Sequence, residues 1–202
     1  MKNNQIVIVA ILIAGLVAQS CEKVYTKIEG IGEITTNSLH VDDFTKISTE
    51  GADDVIISYG PVQEVSVTGH SNIISRIQTE VSNGTWDIEL ERGNYGDYEL
   101  TYYITVPTIE RVSNTGSGNV RVSDPMSVDQ MEVSLLGSGG FFGFPLAASR
   151  CQVDIVGSGN CEITAGNDLD VVIDGSGSVY YKGSPSIHED ITGSGRVVDA
   201  NN

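Results

Sequence analysis

The tripeptide Gly-Ser-Gly occurs five times in the second half of the chain, as Gly116–Gly118, Gly137–Gly139, Gly157–Gly159, Gly175–Gly177 and Gly193–Gly195. Successive first glycines are 21, 20, 18 and 18 residues apart. A near-constant period of that size is the mark of stacked structural units. Counting from the first glycine, the position four before reads Val112, Val133, Val153, Val171 and Glu189, and the position two before reads Asn114, Leu135, Ile155, Ile173 and Ile191. Four after it come Val120, Phe141, Cys161, Val179 and Val197. Polar residues such as Asp154, Asn160, Asp174 and Arg196 fill the alternate positions. Period-two alternation on both sides of a glycine describes short strands with one face in a core and one in water.

One such coil cannot bury its own apolar side, so like residues must stack from coil to coil, about 4.8 Å apart. The expected fold is all-β: a right-handed parallel β-solenoid, or β-helix, of coils of about 18–21 residues. The ten glycines, Gly116, Gly118, Gly137, Gly139, Gly157, Gly159, Gly175, Gly177, Gly193 and Gly195, are structural, placed where the chain bends or backbones crowd. The five serines form a polar ladder at that bend, since five identical serines are too many for one nucleophile. Upstream, Gly51 and Gly69 carry a weaker form of the same cadence and read as degenerate coils. Between them and Gly116, the runs Thr85–Glu91 and Leu100–Val106 flank a Gly93–Asp97 loop, which suggests an antiparallel hairpin or two enlarged coils. Polar Glu189 and Asp199 in the last coil would stop further stacking.

The amino-terminal segment has the pattern of an export signal. Lys2 precedes an apolar run of 12 residues, Ile6 to Val17, too short to span a bilayer, and Ala18-Gln19-Ser20 stands before Cys21. A cysteine directly after the cut marks a lipoprotein whose thiol is acylated, here a palmitate-type anchor on Cys21. The expected organisation is a signal peptide over 1–20, a tether over 21–38 and a single solenoid domain over 39–199. Cleavage removes Lys2 and leaves ten cations against 27 anions, a formal net charge of −17. That balance argues against nucleic acid as a partner.

Several residues together match a known family. They are Val41-x-x-Phe44-x-x-Ile47, the Gly51-x-x-x-Val55 coil, Asn83-Gly84-Thr85-Trp86-x-Ile88, the Ile104–Pro107 edge, the serial Gly-Ser-Gly coils and Tyr181-x-Gly183-x-Pro185. With these the chain resembles the auto-transporter adhesin head domain family, also called the head GIN domain, over about His40 to Val198. It departs from the pattern at Gly140–Phe144, where Gly-Phe-Phe-Gly-Phe breaks the alternation. The resemblance implies a β-solenoid in the envelope of a Gram-negative bacterium, and an adhesin-like role by name alone.

Catalytic signatures are absent. There is no Gly-x-Ser-x-Gly elbow, phosphate loop or His-Glu-x-x-His, and His40, His70 and His188 are far apart. No metal or other cofactor is expected, and Cys151 and Cys161 read as buried free thiols. Three carboxylates, Asp154, Asp174 and Asp190, fall on the solvent side of successive coils, with neighbours about 8 to 9 Å apart. That separation suits an inverting glycosidase, so polysaccharide hydrolysis is an alternative. A groove lined by them and Arg196 would favour it, and a flat face would favour binding or structure. The other candidates are aromatic: Tyr95, Tyr98, Tyr102 and Tyr103 around the glycine-rich loop, and Phe142 and Tyr180 in an outward column. Exposed rings can stack on sugars or anchor a protein. The expected function is a non-enzymatic, membrane-tethered surface for glycans or envelope proteins, with a purely structural envelope component as a further alternative. Trp86, in phase with Ile88 and Leu90, belongs to the core.

Overall fold

The computed structural model describes residues 26–201. The signal segment and Cys21 lie outside the described residues. The chain folds as a β-solenoid whose coils each contribute one strand to each of two sheet faces. The first face runs β6 (Thr85–Ile88), β2 (Lys46–Gly51), β8 (Arg111–Gly116), β10 (Met126–Gly137), then the later parts of β11 (Gly140–Gly157) and β12 (Asn160–Gly175), and β14 (Ser186–Gly193). The second runs β1 (Ile34–Leu39), β4 (Glu64–His70), β7 (Thr101–Val106), β3 (Asp54–Tyr59), β9 (Asn119–Val122), the early parts of β11 and β12, β13 (Ser178–Gly183) and β15 (Arg196–Asp199). All of these pairs are parallel except β1 with β4 and β4 with β7.

Gly-Ser-Gly is the corner where the chain passes from the first face to the second. Gly157 has φ +123°, and a Cβ there would also be driven into the carbonyl oxygen of Gly137 one coil below. That oxygen accepts hydrogen bonds from both Ser158 N, at 2.8 Å, and Gly159 N, at 3.1 Å. The same two bonds recur at each Gly-Ser-Gly corner, the first of them made to Gly51 by Ser117 and Gly118. The serines contribute backbone N–H groups while their side chains stay exposed. The second glycine is needed because the coil below leaves no room: a Cβ on Gly118 would strike the carbonyl of Asp53.

Between the faces the aliphatic columns stack as the repeat requires. Ile47, Val112, Val133, Val153 and Val171 are in register and buried. Asn114, the polar member of its column, is also buried and donates Nδ2 to Gly118 O at 2.7 Å, so it satisfies a corner carbonyl. Cys151 and Cys161 are buried and free, and burial pushes both thiols up, Cys151 to about 12. Gly140–Phe144 keeps the strand, with Phe141 buried and Phe142 outward, and the register then slips between Phe142 and Ala147.

Stacking order departs from chain order at the amino-terminal end. β6 and β7 form a coil on the far side of β2 and β3, and β5 (Val81–Ser82) makes an antiparallel hairpin with β6. Gly69 is therefore not a coil corner. It lies inside antiparallel β4 and is glycine because a Cβ would meet Leu100. Trp86 is buried at this end between Phe44 and Tyr102, at centroid distances of 5.5 and 6.0 Å, and its Nε1 donates to Gln78 O. Residues 34–38, given to the tether by sequence, form most of β1, because their backbone completes the open edge of β4. At the carboxy-terminal end, Glu189 replaces the valine column and is exposed, as a terminal coil demands.

Candidate functional site

The strand register builds a continuous outward row across the second face: Ser38, Ser66, Tyr103, Ile56, Arg121, Phe142, Glu162, Tyr180 and Val198. Three of the sequence candidates, Tyr103, Phe142 and Tyr180, thus come onto one line. At about 4.8 Å per strand, Phe142 and Tyr180 stand about 10 Å apart and Tyr103 and Phe142 about 14 Å. Tyr103 is 42% exposed, and the other two rings are half-buried. The Arg121 guanidinium lies 4.5 Å from the Phe142 ring centroid, which fixes both side chains. A Cβ on Gly140 would touch the same ring, so glycine there gives Phe142 room to lie on the sheet.

A second row two residues earlier is polar: Thr36, Thr68, Thr101, Asp54, Asn119, Gly140, Asn160, Ser178 and Arg196. Thr36 and Thr68 share a hydroxyl hydrogen bond of 2.7 Å, and Asp54 Oδ1 accepts from Asn119 N and Nδ2 at 3.0 and 3.2 Å. The face therefore offers spaced rings, that of Phe142 already covered by Arg121, with hydrogen-bonding groups in the adjoining row except at Gly140 and the buried Ser178.

The remaining aromatic candidates have other work. Tyr102, on the opposite side of β7 from Tyr103, is fully buried by strand alternation and is not a surface contact. Tyr95 and Tyr98 meet edge to face at 5.8 Å, and Tyr95 Oη donates to Glu91 O at 2.7 Å. The loop they brace is bound to the amino-terminal segment: Ile28 N donates to Asn94 O and Gly96 N to Ile28 O, both at 2.8 Å.

Beside this loop, next to the Thr101 and Asp54 section of the polar row, lies a cleft of about 920 Å³ lined by Ile34, Ala52, Asp53, Asp54, His70, Gly96, Asp97, Tyr98, Glu99, Leu100 and Thr101. It exists because β6 connects to β7 through residues 89–100 and not through a tight Gly-Ser-Gly corner. Asp53 occupies the position that later coils give to their second glycine. Burial raises the Asp53 carboxyl to about 6, the Leu100 backbone hydrogen bond opposes that shift, and the charge of Asp54 adds to it. The Tyr102 hydroxyl is pushed far up by burial and by Asp53 and Tyr98, and neither Tyr102 Oη nor His70 Nδ1 has a hydrogen-bond partner. Sequence reasoning missed Asp53 and His70. The available signal was the substitution of Gly51-Ala52-Asp53 for Gly-Ser-Gly.

Asp154, Asp174 and Asp190 lie on the first face. Asp154 is in register with Val172 and Val172 with Asp190, while Asp174 pairs with Val156. Exposed Val156 and Val172 separate the carboxylates, and Asp154 accepts a hydrogen bond from Gln152 Nε2 at 3.0 Å. None of the three lines the concavity of that face. Arg196, expected with them, is on the second face, because the corner between Asp190 and Arg196 carries the chain across. The concavity on the first face, about 530 Å³, is lined instead by Lys46, Arg111, Asp129, Glu132, Arg150 and Asp170 among others, with Arg150 bound to Asp129 at 2.9 Å. Among the described residues no three His, Cys, Asp or Glu side chains converge to hold a metal ion.

Residues 43–143 and 127–185 match the model of the family described as "Putative auto-transporter adhesin, head GIN domain". The chain belongs to this family. Two solved structures share its fold. A protein described as a putative adhesin from Bacteroides fragilis NCTC 9343 aligns with a TM-score of 0.57 at 20% identity, over 85% of this chain and 99% of that one. Another, from Parabacteroides merdae ATCC 43184, aligns at 0.50 and 15% identity, over 86% and 99%. No curated protein matches the chain.

Proposed function

We propose that this head GIN domain protein is a lipid-anchored envelope adhesin that binds an extended glycan along the ring row of its second face. The observation that carries this reading is the alignment of Tyr103, Phe142 and Tyr180 across stacked strands, beside a row of hydroxyl, amide and carboxylate groups. The Tyr103 and Tyr180 rings take the apolar side of a sugar ring, while the Arg121 guanidinium stacked on Phe142 and the polar groups alongside take its hydroxyls. Because the platforms are spaced by the strand repeat, they favour a regular polymer over a single sugar. The non-catalytic reading is supported by the first face, where the three aspartates are interrupted by valines and none of them lines the concavity. Anchoring through Cys21 rests on the apolar run and the cysteine that ends it. An oligosaccharide array probed with the full-length protein and with Phe142→Ala and Tyr180→Ala variants tests the site. The reading requires that each variant weaken the same glycans at least tenfold, with thermal stability within a few degrees of the parent. Retained binding in both would reject it.

A further inference from the structure

The amino-terminal end of the fold is pinned at several points and still keeps isoleucines in water. Ile28 packs against the core and bridges Tyr95, with Ile28 N donating to Asn94 O and Gly96 N to Ile28 O. Asn72 clips the next turn: its Oδ1 accepts from Ile31 N at 2.9 Å and its Nδ2 donates to Glu29 O at 2.8 Å. From Ile34 onward the chain is β1, in register with β4. Between these fastenings Ile31 is 71% exposed and Ile34 60%, and Ile31 is the most exposed large apolar side chain among the described residues. A segment held in order at an entropic cost, with isoleucines turned outward, presents a surface that gains by leaving water. A second observation concerns the strands that end the sheet. β1 carries no charged residue, whereas β14 carries His188, Glu189 and Asp190 and β15 carries Arg196 and Asp199. Charges of that kind keep an edge strand in water, so the far end is protected and the β1 end is not.

The place of Cys21 in the sequence decides what meets this end. Ile28 follows it by seven residues, so whatever the conformation between them Ile28 lies within about 25 Å of the acylated cysteine. The second face, from β1 to β15, spans nine strands and about 38 Å, which is longer than that reach. We propose that Ile31, Ile34 and the edge of β1 form a docking surface for the bilayer that holds the Cys21 acyl chains, so that the β1 end rests on lipid and the ring row leads away from it. This assignment rests on the lipid-anchor reading of Cys21. The contact is apolar: Lys27 is engaged by Glu29 at 3.0 Å, and Glu33 and Asp97 stand close by, so anionic headgroups add no attraction and zwitterionic lipid is the fitting partner. Two isoleucines are a weak hold for a free protein. With the acyl chains already inserted the contact becomes intramolecular, and the short tether supplies the effective concentration that makes a weak contact sufficient. Tyr103 then stands two strand spacings from β1, about 10 Å, and Tyr180 seven, about 34 Å, which sets the glycan track along a line rising from the membrane.

The test uses the acylated protein, purified from cells expressing the full chain and reconstituted into phosphatidylcholine vesicles that contain a lipid with a nitroxide on its headgroup. One fluorescent label is placed on Glu33→Cys at the near end or on Glu189→Cys at the far end, and buried Cys151 and Cys161 do not compete for it. Quenching should be at least threefold stronger at position 33 than at position 189. Ile31→Ser combined with Ile34→Ser should cut the near quenching at least twofold while the protein stays with the vesicles and melts within a few degrees of the parent. Ile31→Trp combined with Ile34→Trp should retain it, since an interfacial surface accepts tryptophan. Equal quenching at the two positions would overturn the proposal. So would near quenching that survives the serine pair, because the tether alone would then account for it, or a loss in the tryptophan pair equal to that in the serine pair. A dimer in detergent that the serine pair turns into a monomer would assign the patch to a second copy of the chain and reject lipid. If Cys21→Ser stays in the membrane fraction, the anchor reading falls and takes the docking surface with it. If Cys21→Ser is released but the two labels are quenched alike, the docking surface falls and the anchor stands.

Discussion

Replacing Asp53 by asparagine should stabilise the protein at neutral pH and do nothing at low pH. The folded carboxyl titrates at about 6 against an ordinary 3.8, a shift of about two units caused chiefly by burial. The folded state therefore holds this proton more tightly than the unfolded state does. The stability it contributes is complete below about 3.8, is lost as the pH rises through about 6, and stays lost above. At 1.36 kcal/mol per unit the full swing is about 3 kcal/mol. The open mouth of the cleft lets solvent relieve part of it, so about 1 to 2 kcal/mol is expected. Asparagine keeps an oxygen for the Leu100 backbone N–H, so that contact survives. Urea denaturation of both proteins from pH 4 to pH 8 isolates the effect, because every other carboxylate is common to the two. The variant should be more stable by that amount at pH 7.5, and the curves should meet near pH 4. A variant no more stable at pH 7.5, or a difference that does not change with pH, would refute the argument.

The corner argument predicts that Gly157→Val destabilises by more than about 2 kcal/mol, from positive φ and backbone collision together, whereas Ser158→Ala changes stability by less than about 0.5 kcal/mol. Chemical denaturation compares them, and equal losses would mean that the serine side chain sets the corner. Cys21→Ser should move the protein from the membrane to the soluble fraction of expressing cells, and a mutant left in the pellet would reject the acyl anchor. Asp154→Asn and Asp174→Asn should alter stability by less than about 0.5 kcal/mol each and leave glycan binding intact. Aspartate-dependent release of reducing ends from any polysaccharide would instead make the first face an active site.

The repeat was legible because its glycines answer a constraint that no other residue meets. At Gly157 both the backbone angle and the carbonyl of Gly137 exclude a side chain, and the same is true one coil above and below, so the tripeptide recurs at the coil period. Alternation likewise put Tyr102 and Tyr103 on opposite faces, without telling which of the two is buried, and placed Trp86 inside. What could not be read was order in space. Tyr103 joins the row of Phe142 only because β7 stacks on β3 from the side away from β9, an inversion of chain order that no local pattern encodes. Gly69 resembled a corner because its neighbours Val65 and Val67 alternate as in a coil, yet antiparallel pairing with β1 and β7 keeps the chain straight through it. The Asp53 cleft left a trace, an aspartate where a glycine belonged. Its meaning depended on how far residues 89–100 stand from the corner, which sequence spacing does not reveal.

The two parts of the candidate site have different physical origins, and this explains their chemistry. The ring row is a product of regularity: parallel coils in register repeat an outward position every strand spacing, so any ring placed there is aligned with the others at no cost to the core. The cleft is a product of its interruption. Where the tight corner gives way to a long connection, glycine is no longer required, and an aspartate can be accommodated beside a tyrosine hydroxyl that finds no partner. An unpaired tyrosine hydroxyl in the core and a carboxylate held above its ordinary range both weaken the fold, and a small polar or apolar side chain at position 53 would remove the second of these penalties. Features that lower stability at one end of an otherwise self-consistent repeat are where ligand recognition is to be sought. In this chain the irregular coil lies beside the Asp54 and Thr101 section of the polar row and carries an acidic lining that the uniform coils lack.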